Sequence, residues 1–186
     1  MTTLIIDTCF GYLSIALAAD DKILQHVEVE SLNQQSKLLA SSVDEIMQKS
    51  NENISTVVIT KGPGSFTGIR IGLAFALGLQ AAINCKIFTI SSLATLNMNY
   101  IGENIVTIKS GLGTYFSQKF HNHTEVGAIQ ALTEQEIDNL SLNGNKIIGH
   151  YKDLTLKPSP EIMLKLFKAG ACTKDLTPLY AKDSYF

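Results

Sequence analysis

The first fifty residues contain three short segments in which hydrophobic positions alternate or cluster, and then one segment with helical spacing. Residues 4–8, 12–19 and 23–30 predict three β-strands, separated by short turns that suit antiparallel pairing. Residues 31–50 predict an amphipathic helix, because one stripe is apolar: Leu32, Leu39, Val43, Ile46 and Met47. The chain is therefore expected to open with a β-meander and a helix.

Strands and helices alternate over the next fifty residues. Residues 56–61 predict a strand that runs through a glycine-rich loop into an apolar helix, for which Thr67 is the expected N-cap. Residues 86–90 predict a fifth strand, and a helix follows to about residue 100. This order is that of the ribonuclease H-like lobe in the actin, sugar kinase and heat-shock ATPase superfamily. A plain doubly wound α/β sheet is the alternative, which the opening meander disfavours.

The pattern changes after Gly102, where we place the boundary between a first lobe, residues 1–102, and a second lobe, residues 103–186. The second lobe is expected to be a shortened one that carries the C-terminal helix. Its predicted elements are two paired strands (104–109 and 114–120), a short helix begun by a capping box (133–136), a brief strand (146–149) and a last helix that ends near Gly170.

The junction between the fourth strand and its helix carries the most specific pattern, Gly-Pro-Gly-Ser-Phe-Thr-Gly-Ile-Arg-Ile-Gly at residues 62–72. A helix N-terminus reached through glycines can hold an anion, but the same glycines also suit a tight turn. The Walker and dinucleotide patterns both fail here. Asp7 and Thr8, after the first strand, resemble a trimmed phosphate-facing turn. The candidate anion or nucleotide residues are Asp7, Thr8, Gly62, Gly64, Ser65, Thr67 and Arg70.

Small residues recur every four positions in the helix that follows. Gly68, Gly72 and Ala76 share one face, and Ala74, Gly78 and Ala82 share another, which allows close approach to a sheet or a second helix. Interior glycines cost about 1 kcal/mol each relative to alanine, so close packing is expected to offset them. Arg70 in the first turn opposes the helix dipole, which suggests an acidic partner, a bound anion or a structural salt bridge.

Composition bounds the class of protein. The 186 residues are 45% hydrophobic and 17% charged, which predicts a folded globular chain. The net charge of −2 gives no bulk attraction to nucleic acid, so strong direct RNA binding is not expected. Three distant cysteines predict reduced thiols rather than a disulfide framework or a zinc knuckle. The N-terminus does not resemble a signal peptide, and the apolar stretch in residues 71–83 predicts a buried helix, so a cytoplasmic protein is expected.

Residues 62–72, extended by Ala76 and Gly78-Leu79 and preceded by Ile6-Asp7-Thr8, resemble the signature of the TsaB (YeaZ) family. These proteins are accessory subunits of the bacterial machinery that makes N6-threonylcarbamoyladenosine in tRNA. The resemblance covers residues 1 to about 100; beyond that, only 158–170 and Pro178-Leu179-Tyr180 fit the family. The chain has Lys109-Ser110-Gly111 where family members have Asp-Ala-Arg, which puts family contacts there in doubt.

The resemblance implies a non-catalytic scaffold that supports a TsaD-like catalytic subunit in threonylcarbamoyl transfer to A37 of tRNA. A TsaE-like ATPase would join through the complex, tRNA would be bound only indirectly, and the chain alone would form a homodimer. Pairing would use the two helices of the first lobe, with these partner-binding residues: Leu39, Val43, Ile46, Gly68, Gly72 and Ala76.

The same resemblance implies no cofactor for the chain by itself, although ATP with magnesium could bind at an interface shared with a partner. TsaD-like relatives bind a metal through a His-x-x-x-His motif, and this sequence has no such pair, so no metal site and no peptidase activity are expected. The alternative function is an ATP-binding or ATP-hydrolysing enzyme of the actin-like superfamily, with Asp7 near the metal.

Overall fold

A computed structural model of the chain describes residues 1–30, 34–50, 52–110 and 113–180. Its first sheet has five strands in the order β3-β2-β1-β4-β5. Strands β1 to β3 are antiparallel neighbours, whereas β4 and β5 run parallel to β1. The bounds of the strands are Thr2–Asp7 for β1, Tyr12–Ala19 for β2, Lys22–Glu30 for β3, Thr56–Thr60 for β4 and Lys86–Ile90 for β5. This order and these directions confirm the ribonuclease H-like fold class.

Three helices are interleaved with the strands of this sheet: α1 (Gln35–Gln48), α2 (Phe66–Ile83) and α3 (Ser92–Asn97). The predicted helix over residues 31–50 is therefore longer than the observed α1, and its expected stripe residue Leu32 lies outside the described residues. Helices α1 and α2 bury side chains in the main core, among them Leu39, Ile46 and Ile69. That core continues into the second sheet through Val106 and Phe116, so the two lobes share one hydrophobic interior.

The second sheet repeats the first four strands of the first. Its order is β8-β7-β6-β9, with β6 antiparallel to β7, β7 antiparallel to β8, and β9 parallel to β6. The bounds are Glu103–Lys109 for β6, Thr114–His121 for β7, Thr124–Thr133 for β8, Glu134–Leu142 for α4 and Lys146–Gly149 for β9. Sequence patterning missed β8, because this edge strand is exposed along almost its whole length and lacks an alternating buried face.

The C-terminal helix α5 (Pro160–Lys168) packs on the first sheet, not on the second. Met163 and Leu164 lie in one apolar cluster with Ile5 and Val58 of β1 and β4. Helix α3, which follows the last strand of the first sheet, contacts β6 and β9 of the second sheet. The C-terminal helix, which the sequence assigned to the second lobe, thus completes the core on the far side of the first sheet.

Helix α2 is only partly buried. By length and composition alone it could cross a membrane, yet 28% of its residues are buried inside the protein. The expectation of a buried helix is thus half right: Gly68 and Gly72 face the first sheet, while the opposite side is exposed. A Cβ on Gly72 would overlap the Thr8 hydroxyl and lie 2.9 Å from Ile59 Cδ1, whereas a Cβ on Gly78 would meet nothing within 4 Å.

These two glycines predict opposite effects of the same substitution. Gly72→Ala should destabilise the fold by roughly 1–3 kcal/mol, because Thr8 and Ile59 are fully buried and cannot yield without strain. Gly78→Ala should stabilise the isolated chain by about 0.5–1 kcal/mol through helix propensity alone. Urea unfolding of the two variants checks both values. Destabilisation by Gly78→Ala, or an unchanged stability for Gly72→Ala, would contradict this packing.

Candidate functional site

The glycine junction connects β4 to α2 and is capped by its own serine. The Ser65 hydroxyl accepts a hydrogen bond from the Gly68 N–H at 3.1 Å, and the Ser65 N–H donates to the Cys9 carbonyl at 2.7 Å. The N-cap is therefore Ser65; the expectation that Thr67 caps the helix is wrong, because the helix begins at Phe66. Thr67 is exposed on the first turn.

The glycines of the junction are required by close backbone contacts. A Cβ on Gly62 would lie 2.7 Å from the Leu179 carbonyl oxygen, and its φ of +101° favours glycine. A Cβ on Gly64 would overlap the Cys9 carbonyl, and one on Gly68 would overlap the Thr8 carbonyl. The turn after β1 thus packs directly into the junction. Of the two interpretations left open by the sequence, the structure favours the tight turn.

Asp7 and Thr8 do not face an open site. The Thr8 hydroxyl donates to the Gly68 carbonyl at 2.7 Å, and Thr8 is fully buried. Asp7 is 1% exposed, and its Oδ1 accepts from the Thr60 hydroxyl at 2.5 Å and from the Cys9 N–H at 3.0 Å. Burial raises the pKa of Asp7, although these hydrogen bonds lower it in part. The expected role of both residues at a nucleotide is therefore not supported in the isolated chain.

Cys9, two residues after Asp7, is also buried and unreactive. Its thiol donates to the Thr60 hydroxyl at 3.2 Å, and burial together with the Asp7 charge raises the pKa of Cys9 to about 12. A thiol with that pKa carries almost no thiolate at neutral pH, so it cannot act as a nucleophile. The cluster stabilises the turn between β1 and β2.

A segment from the far end of the chain covers the junction. This strap, residues 171–180, pairs with the edge of β5 through Thr173 and Thr89, whose backbones exchange hydrogen bonds of 2.7 and 3.0 Å. Lys61 Nζ, almost buried, donates to Asp175 Oδ2 at 2.9 Å, and hydrogen bonds from Thr177 and Lys61 lower the pKa of Asp175. The Leu179 N–H then donates to the Lys61 carbonyl at 2.8 Å. The strap therefore fixes the junction from outside.

Arg70 contacts two aromatic rings, Phe66 and Tyr180. Its guanidinium carbon lies 3.6 Å from the centroid of the Phe66 ring, and its Nε donates to the Tyr180 hydroxyl at 3.2 Å. The Phe66 and Tyr180 rings are 5.2 Å apart. Among the described residues, no carboxylate forms a salt bridge with Arg70, so the structural salt bridge considered from the sequence is not formed there.

The six residues expected to bind a partner are buried inside the chain itself. Leu39, Val43 and Ile46 of α1 enter the main core, and the small face of α2 lies against the first sheet. A partner cannot touch any of these side chains while the fold is intact. The six expected contacts are therefore corrected to internal packing: Leu39, Val43, Ile46, Gly68, Gly72 and Ala76.

The opposite side of α2 is exposed and almost wholly apolar. We call it the outer face and define it as Ala74, Leu77, Gly78 and Ala81, all of them exposed. Leu77 is 46% exposed and lies among the small apolar residues of this face. The helix contains no acidic residue. Sequence reasoning placed the apolar helix correctly, but the face that it assigned to a partner is the one that packs on the sheet.

Histidines and acids do not assemble a metal centre in the described part of the chain. No group of three or more His, Cys, Asp or Glu side chains lies close enough to hold an ion there. His121 is exposed and lies 3.9 Å from the Glu103 carboxylate. The His150 ring accepts from the Lys109 N–H, contacts the Leu156 carbonyl at 2.8 Å and packs on Phe10.

Comparisons with known proteins place the chain in a family. A family model described as TsaD, tRNA N6-adenosine threonylcarbamoyltransferase, matches residues 29–141, more than half of the chain. The chain belongs to this family. Its relatives include the tRNA threonylcarbamoyladenosine biosynthesis protein TsaB of Bacillus subtilis, 33% identical over 102 residues, which are 53% of this chain and 44% of that protein. TsaB of Escherichia coli is 32% identical over 99 residues, 52% of this chain and 42% of that protein. The matched part of the chain thus spans less than half the length of these TsaB relatives.

Two solved structures from Pseudomonas aeruginosa share the TsaB (YeaZ) fold over nearly the whole chain. One is YeaZ, with a TM-score of 0.71 and 17% identity, covering 96% of this chain and 99% of that one. The other is an uncharacterized protein with similarity to peptidase YEAZ, with a TM-score of 0.74 and 16% identity, covering 97% and 99%. At such identities the likeness shows the fold.

Asp7 provides a pH test of the buried cluster. Because its pKa is raised in the folded state, its contribution to stability is fully present below the ordinary Asp range and is lost as pH rises through the raised value. Asp7→Asn removes this titration and keeps an oxygen for the Thr60 and Cys9 donors. The variant should therefore gain stability relative to the wild type as pH rises from 4 to 8, in thermal unfolding at each pH. A stability difference that stays constant with pH would contradict a buried, titrating Asp7.

Proposed function

We propose that the chain is a non-catalytic accessory subunit that binds a TsaD-like enzyme and supports threonylcarbamoyl transfer to A37 of tRNA. Family membership and the names of the TsaB relatives support the process. The closed glycine junction, with its buried Asp7 and its Ser65 cap, supports an architectural role for the residues that most resemble a catalytic loop.

The outer face of α2 is the observation that carries this proposal. An exposed glycine in the middle of a helix costs about 1 kcal/mol relative to alanine, and nothing in the described chain approaches Gly78. A second helix that packs closely over Gly78, with Ala74 and Ala81 on either side, would offset that cost by allowing the two backbones to approach. Leu77 would be buried in the same contact. The face thus fits an apolar helix of a protein partner.

The proposal keeps the helix-based pairing expected from the sequence but moves it to other residues. Contacts come from the outer face and from the exposed residues of α1 beside it, not from the buried stripe of either helix. We further propose that a second copy covers the same face when the partner is absent, as a homodimer. A TsaE-like ATPase would act through the complex, and tRNA would be contacted only indirectly, in the cytoplasm.

An ATP-using enzyme is the second candidate, and the chain on its own fits it poorly. The Asp7 carboxylate is held by internal donors, the Thr8 hydroxyl is used by Gly68, and the Leu179 carbonyl lies against Gly62. These internal contacts speak against a nucleotide phosphate with magnesium at the junction of the isolated chain. ATP with magnesium at an interface shared with the partner stays a prediction. Calorimetric titration of the isolated chain with ATP and magnesium should give no heat of binding. Binding of ATP with micromolar affinity would favour the enzyme.

Leu77→Glu tests the partner surface. The charge on the outer face should weaken binding to the TsaD-like subunit from the same host by roughly tenfold or more, because a carboxylate would be buried against an apolar helix. The fold should survive, since Leu77 is exposed. Binding is measured by calorimetry, and modified nucleoside is measured in a reconstituted reaction that also contains the TsaE-like ATPase.

Leu142→Glu is the matched control, because Leu142 is 84% exposed on α4 in the second lobe. It should change neither the affinity nor the yield of modified nucleoside. Equal binding by Leu77→Glu and the wild type would show that the outer face is not the partner surface. Full activity of the reaction without the chain would refute the accessory role itself.

A further inference from the structure

Arg70 is the only arginine in the 186-residue sequence, and all other basic residues are lysines. It is the fifth residue of α2, exposed just after the first turn and four residues before Ala74, and it therefore lies on the same side as the outer face. The expectation that Arg70 lies in the first turn is wrong, because the helix begins at Phe66. Arginine differs from lysine in its planar guanidinium, which stacks on aromatic rings and binds a carboxylate through two parallel hydrogen bonds. The one arginine of the chain, which can bind a carboxylate through two hydrogen bonds, thus lies at the end of the exposed apolar face.

The guanidinium is held in place before any partner binds. It stacks on Phe66 at 3.6 Å, and its Nε donates to the Tyr180 hydroxyl, which belongs to the strap. The strap is itself fixed by the Lys61 to Asp175 ion pair and by the Leu179 backbone hydrogen bond. Fixing an arginine in advance reduces the side-chain entropy lost when it binds, which is how an exposed cation becomes an energetic anchor.

Arg70 has no acidic neighbour within its own helix, because α2 contains no Asp or Glu. No carboxylate in the described residues pairs with Arg70. A partner that covers the outer face could place a carboxylate against this guanidinium.

We propose that Arg70 is the anchor of the partner surface and binds a carboxylate of the TsaD-like subunit, with Tyr180 as the residue that positions it. This inference rests on the proposed function. A protein carboxylate is favoured over a phosphate, because a phosphate at this helix end would use the backbone donors of the junction. The Ser65 hydroxyl already takes the Gly68 N–H, and Pro63 has no N–H to offer.

The test compares four variants with the wild type by calorimetric titration against the TsaD-like subunit. Arg70→Ala should weaken binding roughly tenfold or more, and Arg70→Lys by a similar factor although it keeps the charge. Tyr180→Phe should weaken binding less, because it removes the hydrogen bond to Nε but keeps the aromatic ring. Lys146→Ala is the matched control: Lys146 is exposed and lies 4.8 Å from the Tyr100 ring centroid in the second lobe, and its loss should change nothing.

Salt dependence and anion binding separate the outcomes. Wild-type affinity should fall as salt rises, and Arg70→Ala should lose most of that dependence. Absence of binding by the wild type would refute the proposed function and the anchor with it. Equal affinities for the wild type and both Arg70 variants would refute the anchor alone. An Arg70→Ala variant that keeps its partner affinity but loses binding of inorganic phosphate would show an anion site instead.

Thermal unfolding of all four variants checks that the folds are equivalent. Arg70 is exposed, so its substitution should leave the unfolding temperature close to that of the wild type. A large drop for Arg70→Lys, in parallel with the loss of binding, would indicate a structural role for the stack on Phe66 and would refute the anchor.

Discussion

The contact between the small face of α2 and the turn after β1 is the constraint on which the rest of the structure depends. Gly68 and Gly72 have no side chains, so the helix backbone lies directly on Thr8, whose hydroxyl donates to the Gly68 carbonyl. Any larger side chain would push the helix away from the sheet. The contact fixes the position of α2 and its rotation about its own axis, and the rotation decides which residues are exposed.

Two consequences of that rotation connect packing to function. The glycine junction becomes a closed turn, capped by Ser65 and covered by the strap, and the opposite side of α2 becomes an exposed apolar face. The protein therefore combines a loop that resembles a phosphate site with a helix surface that resembles an interface between subunits. The exchange of α3 and α5 between the two sheets adds rigidity, because each sheet is covered by a helix from the other half of the chain.

The sequence predicted most of the first sheet because its strands are buried and its turns short. It failed where an element has no apolar pattern of its own, as for the exposed strand β8, or where a contact joins distant parts of the chain. The strap is the main example: nothing local in Asp175 or Tyr180 indicates that they reach Lys61 and Arg70.

Buried residues were predicted to be partner contacts for a related reason. Periodicity shows that a helix has two small faces, but it does not show which face the sheet takes. Gly72 and Gly78 are equivalent in sequence terms, and only the close contact of the first with Thr8 distinguishes them. Arg70 was visible in the sequence as the single arginine, whereas its aromatic surroundings were not.

The central claim is that the outer face of α2 is the surface that a TsaD-like enzyme covers. Carbene footprinting of the wild-type chain, alone at low concentration and in the presence of that enzyme, measures this most directly. The account predicts strong protection of Leu77 and its exposed neighbours on α2, with no change at Val126 on β8, which is 47% exposed. Unchanged labelling of α2 in a complex that demonstrably forms would contradict it.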